Sequence, residues 1–315
     1  MIAAVIDLGT NTSNLVVALM KNPGPEIIFQ GKEYVRLGDE RISEHMISDP
    51  AIGRALDALE RQVETARRCK ADKIRIIATS AVRHAVNRNS LLQSAKSRTG
   101  IDIEVIDGNR EATLIYYGVK LALKTVQKPS AILDIGGGSN EIIIFENGTV
   151  NWQGSFAAGM SRIINSFPIS NPITPEEEER LSEHFSQIHG TALEHCRKFG
   201  VRTLIGCSGA FNTLADIIDG SEPEQYFRQK KEISLNEFEQ VYRQLLPTTT
   251  LERQQIKGMD PVRTELIVPA LILSKTFIDH TPVSGIIQTS YALREGVLYE
   301  MLNVSKDLPP PKGSS

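Results

Sequence analysis

Three consecutive glycines lie at the centre of the segment best suited to chemistry, DIGGGSNE. Glycine lets a ligand approach the main chain closely, so that successive N–H groups can converge on phosphate oxygens. Asp134 precedes the glycines and Glu141 follows them, and hard carboxylate oxygens suit Mg²⁺, which usually bridges to substrate phosphates. The residues predicted to form this phosphate cradle are Gly136, Gly137 and Gly138. The competing interpretation is a flexible hairpin turn with solvated carboxylates.

A second copy of this pattern lies near the N-terminus. AVIDLGTNTSNLVV and AILDIGGGSNEIII align without a gap, and their aspartates, Asp7 and Asp134, lie 127 residues apart. In the first copy Thr10 and Asn11 supply hydroxyl and amide donors for phosphate, although such a turn can also bond its own backbone. The matched Asp and Gly positions favour a duplicated pair of domains whose hairpin tips face a shared cleft.

Two further charged residues follow strands of the predicted sheet. Arg83, in ATSAVRHA, is predicted on a loop at the carboxyl edge of a strand at residues 74–78, where open α/β sheets bind ligands, and its planar guanidinium suits phosphate. Glu111, in DGNREATLIYYGV, falls in the first turn of a helix after a strand at residues 101–106. It either stabilises the helix dipole or accepts a proton from an attacking water.

A third glycine turn, IGCSGA, leads from a strand into a helix. The N–H groups of Gly206, Ser208 and Gly209 are candidates for binding another phosphate at the helix N-terminus. A tight strand–helix connection is the alternative.

Composition restricts the function classes. A formal net charge of -3 provides no basic face for nucleic acid, and three cysteines without CxxC spacing argue against a disulfide framework or a thiolate zinc site. The N-terminal MIAAVIDLG is short and lacks the basic residues of a signal peptide, so a strand is expected there. No apolar run approaches the roughly 18 residues that a membrane span needs. A cytoplasmic protein without nucleic-acid or membrane partners is expected.

Alternating strands and helices predict an α/β fold. Residues 2–6 form an uninterrupted apolar run, which predicts a strand buried on both faces. Residues 262–278 are apolar and contain Pro269, which predicts a buried helix with a kink. A last strand is expected at residues 285–288 and a last helix at 292–302.

Together these segments resemble the exopolyphosphatase/guanosine pentaphosphate phosphohydrolase (Ppx/GppA) family of the sugar kinase, Hsp70 and actin superfamily. The resemblance runs through IDLGTNTSNLVV, ATSAVR, DGNREATLIYYGV, LDIGGGSNE, IGCSGAFNTL, GMDPVRTELIVPALIL and SYALREGVL. It implies an α/β fold of two ribonuclease-H-like (actin-like) domains with an active-site cleft between them. The implied limits are residues 1–124 and 125–290, with a helix at about 291–303 packing back on the first domain and a disordered tail at 304–315.

The resemblance also implies roles. Glu111 is similar to the family's catalytic base, and Asp134, Gly136 and Glu141 resemble residues around the metal and terminal phosphates. Asp7 would join the metal site, which would hold Mg²⁺, with Mn²⁺ as an alternative. The residues that fall where the family contacts phosphate are Thr10, Asn11, Arg83, Ser139 and Ser208.

The implied activity is Mg²⁺-dependent hydrolysis of the terminal phosphoanhydride of polyphosphate, with guanosine pentaphosphate as the alternative substrate. Many members carry an aromatic and then a basic residue where this chain has Ser13 and Asn14, and the helical domains of longer members are lacking within these 315 residues, so short substrates are expected. The same motifs would also suit a kinase of this superfamily or a non-enzymatic regulator that binds polyphosphate or a nucleotide. A homodimer is left open.

Overall fold

Two mixed β-sheets organise the chain. The structure is a computed structural model that describes residues 1–22, 24–38, 44–124, 126 and 128–303. The strands are β1 (Ile2–Leu8), β2 (Thr12–Leu19), β3 (Glu26–Tyr34), β4 (Lys73–Ala78), β5 (Ile103–Val105), β6 (Ser130–Ile135), β7 (Asn140–Glu146), β8 (Thr149–Phe156), β9 (Thr203–Cys207), β10 (Lys231–Ile233) and β11 (Gly285–Gln288).

Helices cover both faces of these sheets. They are α1 (Asp49–Arg68), α2 (Ser80–His84), α3 (Arg88–Thr99), α4 (Gly108–Leu123), α5 (Met160–Ser166), α6 (Pro175–Ile188), α7 (Gly190–Lys198), α8 (Ser208–Asp219), α9 (Leu235–Leu245), α10 (Thr250–Arg253), α11 (Ile267–His280) and α12 (Leu293–Asn303). The predicted α/β class is confirmed. Among the described residues no helix combines the length and apolar character needed to cross a bilayer.

The two sheets share the order of five strands, and the second sheet has one further edge strand, β10. The first has the order β3-β2-β1-β4-β5 and the second β10-β11-β9-β6-β7-β8. The central strand of each, β1 or β6, pairs antiparallel with the next strand in sequence and parallel with a later one. Burial on both faces accounts for the continuous apolar sequences of β1 and β6. The internal repeat therefore corresponds to two equivalent sheets, carried by what we call the first half (β1–β5, α1–α4) and the second half (β6–β11, α5–α11).

Three apolar clusters hold these layers together. One lies between the first sheet and α1 and α3, and a second lies between the second sheet and the helices of the second half. The third is shared, because α4 and α12 lie between the inner faces of both sheets. At the crossing of α4 and α12 the backbones nearly touch, since a Cβ on Gly118 would lie 2.0 Å from the carbonyl oxygen of Ala292. The position of α4 is therefore set by both halves.

Two predicted elements differ from the structure. Arg83 lies in the short helix α2 and not on a loop, because the chain turns into helix directly after β4. The apolar segment 262–278 is not one kinked helix, since α11 begins at Ile267 and Pro269 falls in its first turn, where its missing N–H breaks no helical hydrogen bond. The domain limits stay a prediction, and the tail at 304–315 lies outside the described residues.

Candidate active site

A cavity of about 150 Å³ opens between the two halves where the repeated hairpin turns meet. Its lining includes most of the predicted site residues, namely Asp7, Thr10, Asn11, Glu111, Asp134, Gly136, Gly137, Gly138, Ser139, Glu141, Ser208 and Gly209. Arg83 and Gly206 are not part of this lining. Residues separated by more than 200 positions in the chain therefore face one space, as the duplicated-domain hypothesis requires.

The two turns have the same internal hydrogen bond. Gly9 N–H donates to the carbonyl oxygen of Thr12 at 2.9 Å, and Gly136 N–H donates to that of Ser139 at 3.0 Å. The turns also meet each other, because a Cβ on Gly138 would lie 2.6 Å from Oγ1 of Thr10. Glycine is needed at this position because the two halves approach so closely.

The first residues of α5 support the turn that contains Gly136, Gly137 and Gly138, which we call the glycine loop. Met160 N–H and Ser161 N–H donate to the carbonyl oxygens of Gly136 and Gly137, both at 2.9 Å. Arg162 Nε donates to the carbonyl oxygen of Gly138 at 2.9 Å. A Cβ on Gly159 would lie 2.4 Å from the loop backbone, so this support also depends on a missing side chain. The sequence pattern did not identify these residues because they follow β8, more than 20 positions after the loop.

Four carboxylates lie around the cavity: Glu111, Asp134 and Glu141 are buried, and Asp7 is half-buried. Burial raises the pKa of Asp7 to about 7, and neighbouring Asp134 adds to the rise although Arg294 opposes it. Burial and then Asp134 raise the pKa of Glu141 to about 7. Burial, reinforced by Glu141, raises the pKa of Glu111 well above its ordinary value. Burial also raises the pKa of Asp134, against hydrogen bonds from Ser208 and Cys207. Carboxylates whose charges repel one another in a buried site favour a cation between them.

Glu111 lies in the first turn of α4, whose N-cap Asp107 accepts a hydrogen bond from Arg110 N–H at 2.8 Å. Arg83 donates to a carboxylate oxygen of Glu111 at 2.8 Å and to the carbonyl oxygen of Ile106 at 3.0 Å. Arg83 therefore fixes the orientation of Glu111 in this structure. Its contact with phosphate stays a prediction.

Three basic side chains that the sequence did not assign also line the cavity: Lys32, Arg263 and Arg294. The guanidinium of Arg263 lies against the turn at Ser208, because a Cβ on Gly209 would be 2.1 Å from its Nη2. Its Nε is buried and has no hydrogen-bond partner among the described residues. Ser208 itself has a φ of 68°, in the left-handed region. A buried cation beside this turn supports the predicted anion site at Ser208 and Gly209. Gly206 instead packs against the ring of Phe211.

The carboxylates at the cavity suit a divalent metal ion only if substrate and water oxygens complete its coordination. Asp134 and Glu141 are directly opposite each other on β6 and β7, with side chains on one face. Within the described residues, no group of three or more His, Cys, Asp or Glu side chains is close enough to hold a metal ion. Mg²⁺ commonly uses one or two carboxylates together with phosphates and waters, so this pair suits it. Mg²⁺ itself stays a proposal.

Comparisons with known proteins agree with the family resemblance seen in the sequence. The model of the Ppx/GppA phosphatase family matches residues 16–305. A putative exopolyphosphatase of Haemophilus influenzae is 26% identical over 299 residues, which covers 95% of this chain and 90% of that protein. A guanosine-5'-triphosphate,3'-diphosphate pyrophosphatase of Photobacterium profundum is 27% identical over 300 residues, which covers 95% of this chain but only 59% of that protein.

Solved structures agree with the fold. The crystal structure of an exopolyphosphatase from Cytophaga hutchinsonii superimposes with a TM-score of 0.92 at 32% identity, covering 96% of this chain and 98% of that one. The Ppx/GppA family member of Aquifex aeolicus has a TM-score of 0.83 at 22% identity over 98% of this chain and 99% of its own, which shows the fold alone. The predicted actin-like architecture is thus confirmed, and the chain belongs to the Ppx/GppA phosphatase family.

Proposed function

We propose that the chain is a phosphoanhydride hydrolase that removes the terminal phosphate of inorganic polyphosphate with the help of Mg²⁺ or Mn²⁺. The observation that carries this proposal is the buried Glu111, held by Arg83 at a cavity that the two repeated hairpin turns and further carboxylates line. Family membership supports a phosphatase and leaves the substrate open.

In the proposed reaction a water oxygen attacks the terminal phosphorus, and the bond from phosphorus to the bridging oxygen breaks. Glu111 takes the proton of the attacking water, and the shortened chain leaves with the bridging oxygen. The glycine-loop amides and Arg263 stabilise the negative charge of the transferred group. When bound at Asp134 and Glu141, Mg²⁺ would neutralise phosphate charge and orient the terminal group.

Guanosine pentaphosphate remains the alternative substrate because a second cavity, of about 230 Å³, adjoins the first. It is lined by the rings of Tyr226 and Phe227, which are 52% and 36% exposed. Asn14 and Gln30 add amide groups. Rings and amides of this kind suit a nucleobase. Cytoplasmic location and a homodimer stay predictions.

Phosphate release by the purified protein tests the proposed function. Polyphosphates of several lengths and guanosine pentaphosphate are compared with and without Mg²⁺. Metal-dependent release of orthophosphate is expected, and the substrate with the larger kcat/KM identifies the physiological class. Binding without release from any substrate would contradict the hydrolase and favour the regulator, whereas phosphate transfer from ATP to a small molecule would favour the kinase.

The metal proposal has its own test in thermal stability. Because Asp7 and Glu141 bind protons more tightly in the folded chain than in the unfolded one, they lower stability as pH rises from about 4 to about 7. Mg²⁺ bound at Asp134 and Glu141, beside Asp7, would compete with protons for these carboxylates, and a ligand specific for the folded state raises stability. We therefore expect the rise in melting temperature on adding Mg²⁺ to be several degrees larger at pH 8 than at pH 5.

Two controls make this measurement specific. NaCl at matched ionic strength is expected to give no such pH-dependent rise, and Glu141→Gln is expected to reduce the effect of Mg²⁺. An Mg²⁺-induced rise of equal size at both pH values, or one that persists in Glu141→Gln, would argue against these carboxylates as the metal site.

A further inference from the structure

Lys32 is the third residue of a row across β1, β2 and β3 that begins at Asp7, one of the four carboxylates at the cavity. It is opposite Asn14 in the pairing of β3 with β2, and Asn14 is opposite Asp7 in the pairing of β2 with β1. Directly opposed residues share one face of a sheet, and all three line the cavity. Two strand spacings place the backbone of Lys32 about 10 Å from that of Asp7. With the reacting phosphate among the carboxylates, as proposed above, Lys32 would be within reach of a phosphate further along a chain-like substrate.

Two carboxylates of the second half hold the ammonium group of Lys32. Nζ lies 2.5 Å from Asp260 Oδ2 and 2.7 Å from Glu224 Oε1. The Asp260 side chain is 4% exposed and the Glu224 side chain is 44% exposed. Asp260 is thus a buried, fixed counter-ion, whereas Glu224 can leave into solvent.

The negative charge of Glu224 is unfavourable in a site that is proposed to bind a polyanion. Its carboxylate belongs to the lining of both cavities, where it would repel phosphate. Its φ of 57° is in the left-handed region, which is uncommon for glutamate. Asp216 supports this conformation by accepting a hydrogen bond from Glu224 N–H at 2.9 Å. A strained backbone that is held by a buried partner points to a functional position.

From these contacts we infer that Lys32 binds a phosphate group distal to the one that reacts, and that Glu224 competes with that phosphate for Lys32. Glu224 then weakens the binding of every substrate long enough to reach Lys32 and leaves shorter ones unaffected. Lys32 and Glu224 are specificity residues for substrate length. The inference rests on the proposed function only in the nature of its ligand, a chain of phosphates.

Opposite effects of two substitutions test this inference. Binding is measured by calorimetry in a Glu111→Gln background, which does not require turnover, with long-chain polyphosphate and with pyrophosphate. Lys32→Met is expected to raise the Kd for polyphosphate about 10-fold or more, the size of a lost hydrogen bond to a charged group. Glu224→Gln is expected to lower it about 2- to 5-fold, the size of a partly exposed ion pair. The Kd for pyrophosphate is expected to stay the same in both.

Further variants separate this role from a structural one. Glu222→Gln makes the same charge change two positions away and is expected to leave the Kd unchanged. Lys32→Arg keeps the positive charge and is expected to restore most of the affinity. Glu224→Gln is expected to have a smaller effect once Lys32 is methionine, because only the direct repulsion between Glu224 and phosphate is then removed. If Lys32→Met and Glu224→Gln shift the Kd in the same direction, if pyrophosphate responds as strongly as polyphosphate, or if polyphosphate does not bind, the inference is wrong. Opposite shifts in Kd without phosphate release by the parent protein would contradict the hydrolase alone.

Discussion

Replacing Glu111 by glutamine is expected to lower kcat for phosphate release by about 10²- to 10⁴-fold, the usual contribution of a general base. Glutamine has nearly the same size as glutamate but cannot accept the proton of the attacking water. Its amide oxygen can still accept the hydrogen bond from Arg83 that orients Glu111 at 2.8 Å. The geometry of the site is therefore expected to survive while proton transfer is lost.

The measurement combines steady-state release of orthophosphate with calorimetric binding of polyphosphate. A loss in kcat with little change in Kd would show that Glu111 acts in the reaction and not in binding. Glu64→Gln removes an exposed carboxylate from α1 in the same half and is expected to change neither quantity. Glu111→Gln activity close to that of the parent protein would exclude Glu111 as the base.

Substitution of Arg83 is expected to be less informative alone, since Arg83 contacts Glu111 and the backbone of Ile106. Removing its charge leaves Glu111 buried among Glu141 and Asp7 without its cation. The loss would then combine a displaced base with a base of even higher pKa. For this reason Glu111→Gln, which leaves Arg83 in place, is the cleaner test.

Local sequence features predicted the parts of the site that lie next to one another in the chain. The aspartate and glycines of each hairpin are adjacent in sequence, so their spacing alone indicated Asp7, Asp134 and the glycine loop. Lys32 and Arg263 could not be found in this way, because sheet pairing and the packing of Gly209 bring them to the cavity. The strand that carries Lys32, β3, lies at the sheet edge and exposes many residues, so it lacks a clear alternation of apolar and polar residues.

The glycines also show that contacts between distant segments cannot be predicted from local sequence. Those of the loop were recognised because three of them are consecutive. Gly118 and Gly296 lie singly inside helices, where an isolated glycine only weakens a helix prediction. Their role depends on a helix crossing between segments almost 180 positions apart. A single sequence contains no signal that pairs them.

That crossing provides the largest expected effect on stability. A Cβ on Gly296 would lie 1.7 Å from the carbonyl oxygen of Leu114 and 2.6 Å from its carbonyl carbon. Backbone atoms cannot rotate away, so Gly296→Ala must push α4 and α12 apart. We expect a loss of free energy of unfolding at or above the upper end of the about 1–3 kcal/mol typical of overpacking. Urea denaturation of the variant and the parent protein measures this loss.

Gly53→Ala is the matched control. Gly53 lies inside α1, and a Cβ built there would meet nothing within 4 Å. Alanine is the better helix former by about 0.8–1.0 kcal/mol, so this variant is expected to gain stability. Equal effects of the two substitutions would mean that the close approach of α4 and α12 does not limit stability.

Gly296→Ala should also affect the reaction in molecules that remain folded. Glu111 lies in the first turn of α4, and Arg294 in α12 lines the same cavity as Asp7. Separation of the two helices therefore moves the proposed base relative to Asp7, the carboxylate of the first hairpin. A shift of about 1 Å away from the reacting atoms can cost about 10²-fold in rate. We expect kcat per folded molecule to fall in Gly296→Ala and to stay unchanged in Gly53→Ala, because only the first substitution moves the helix that carries the base.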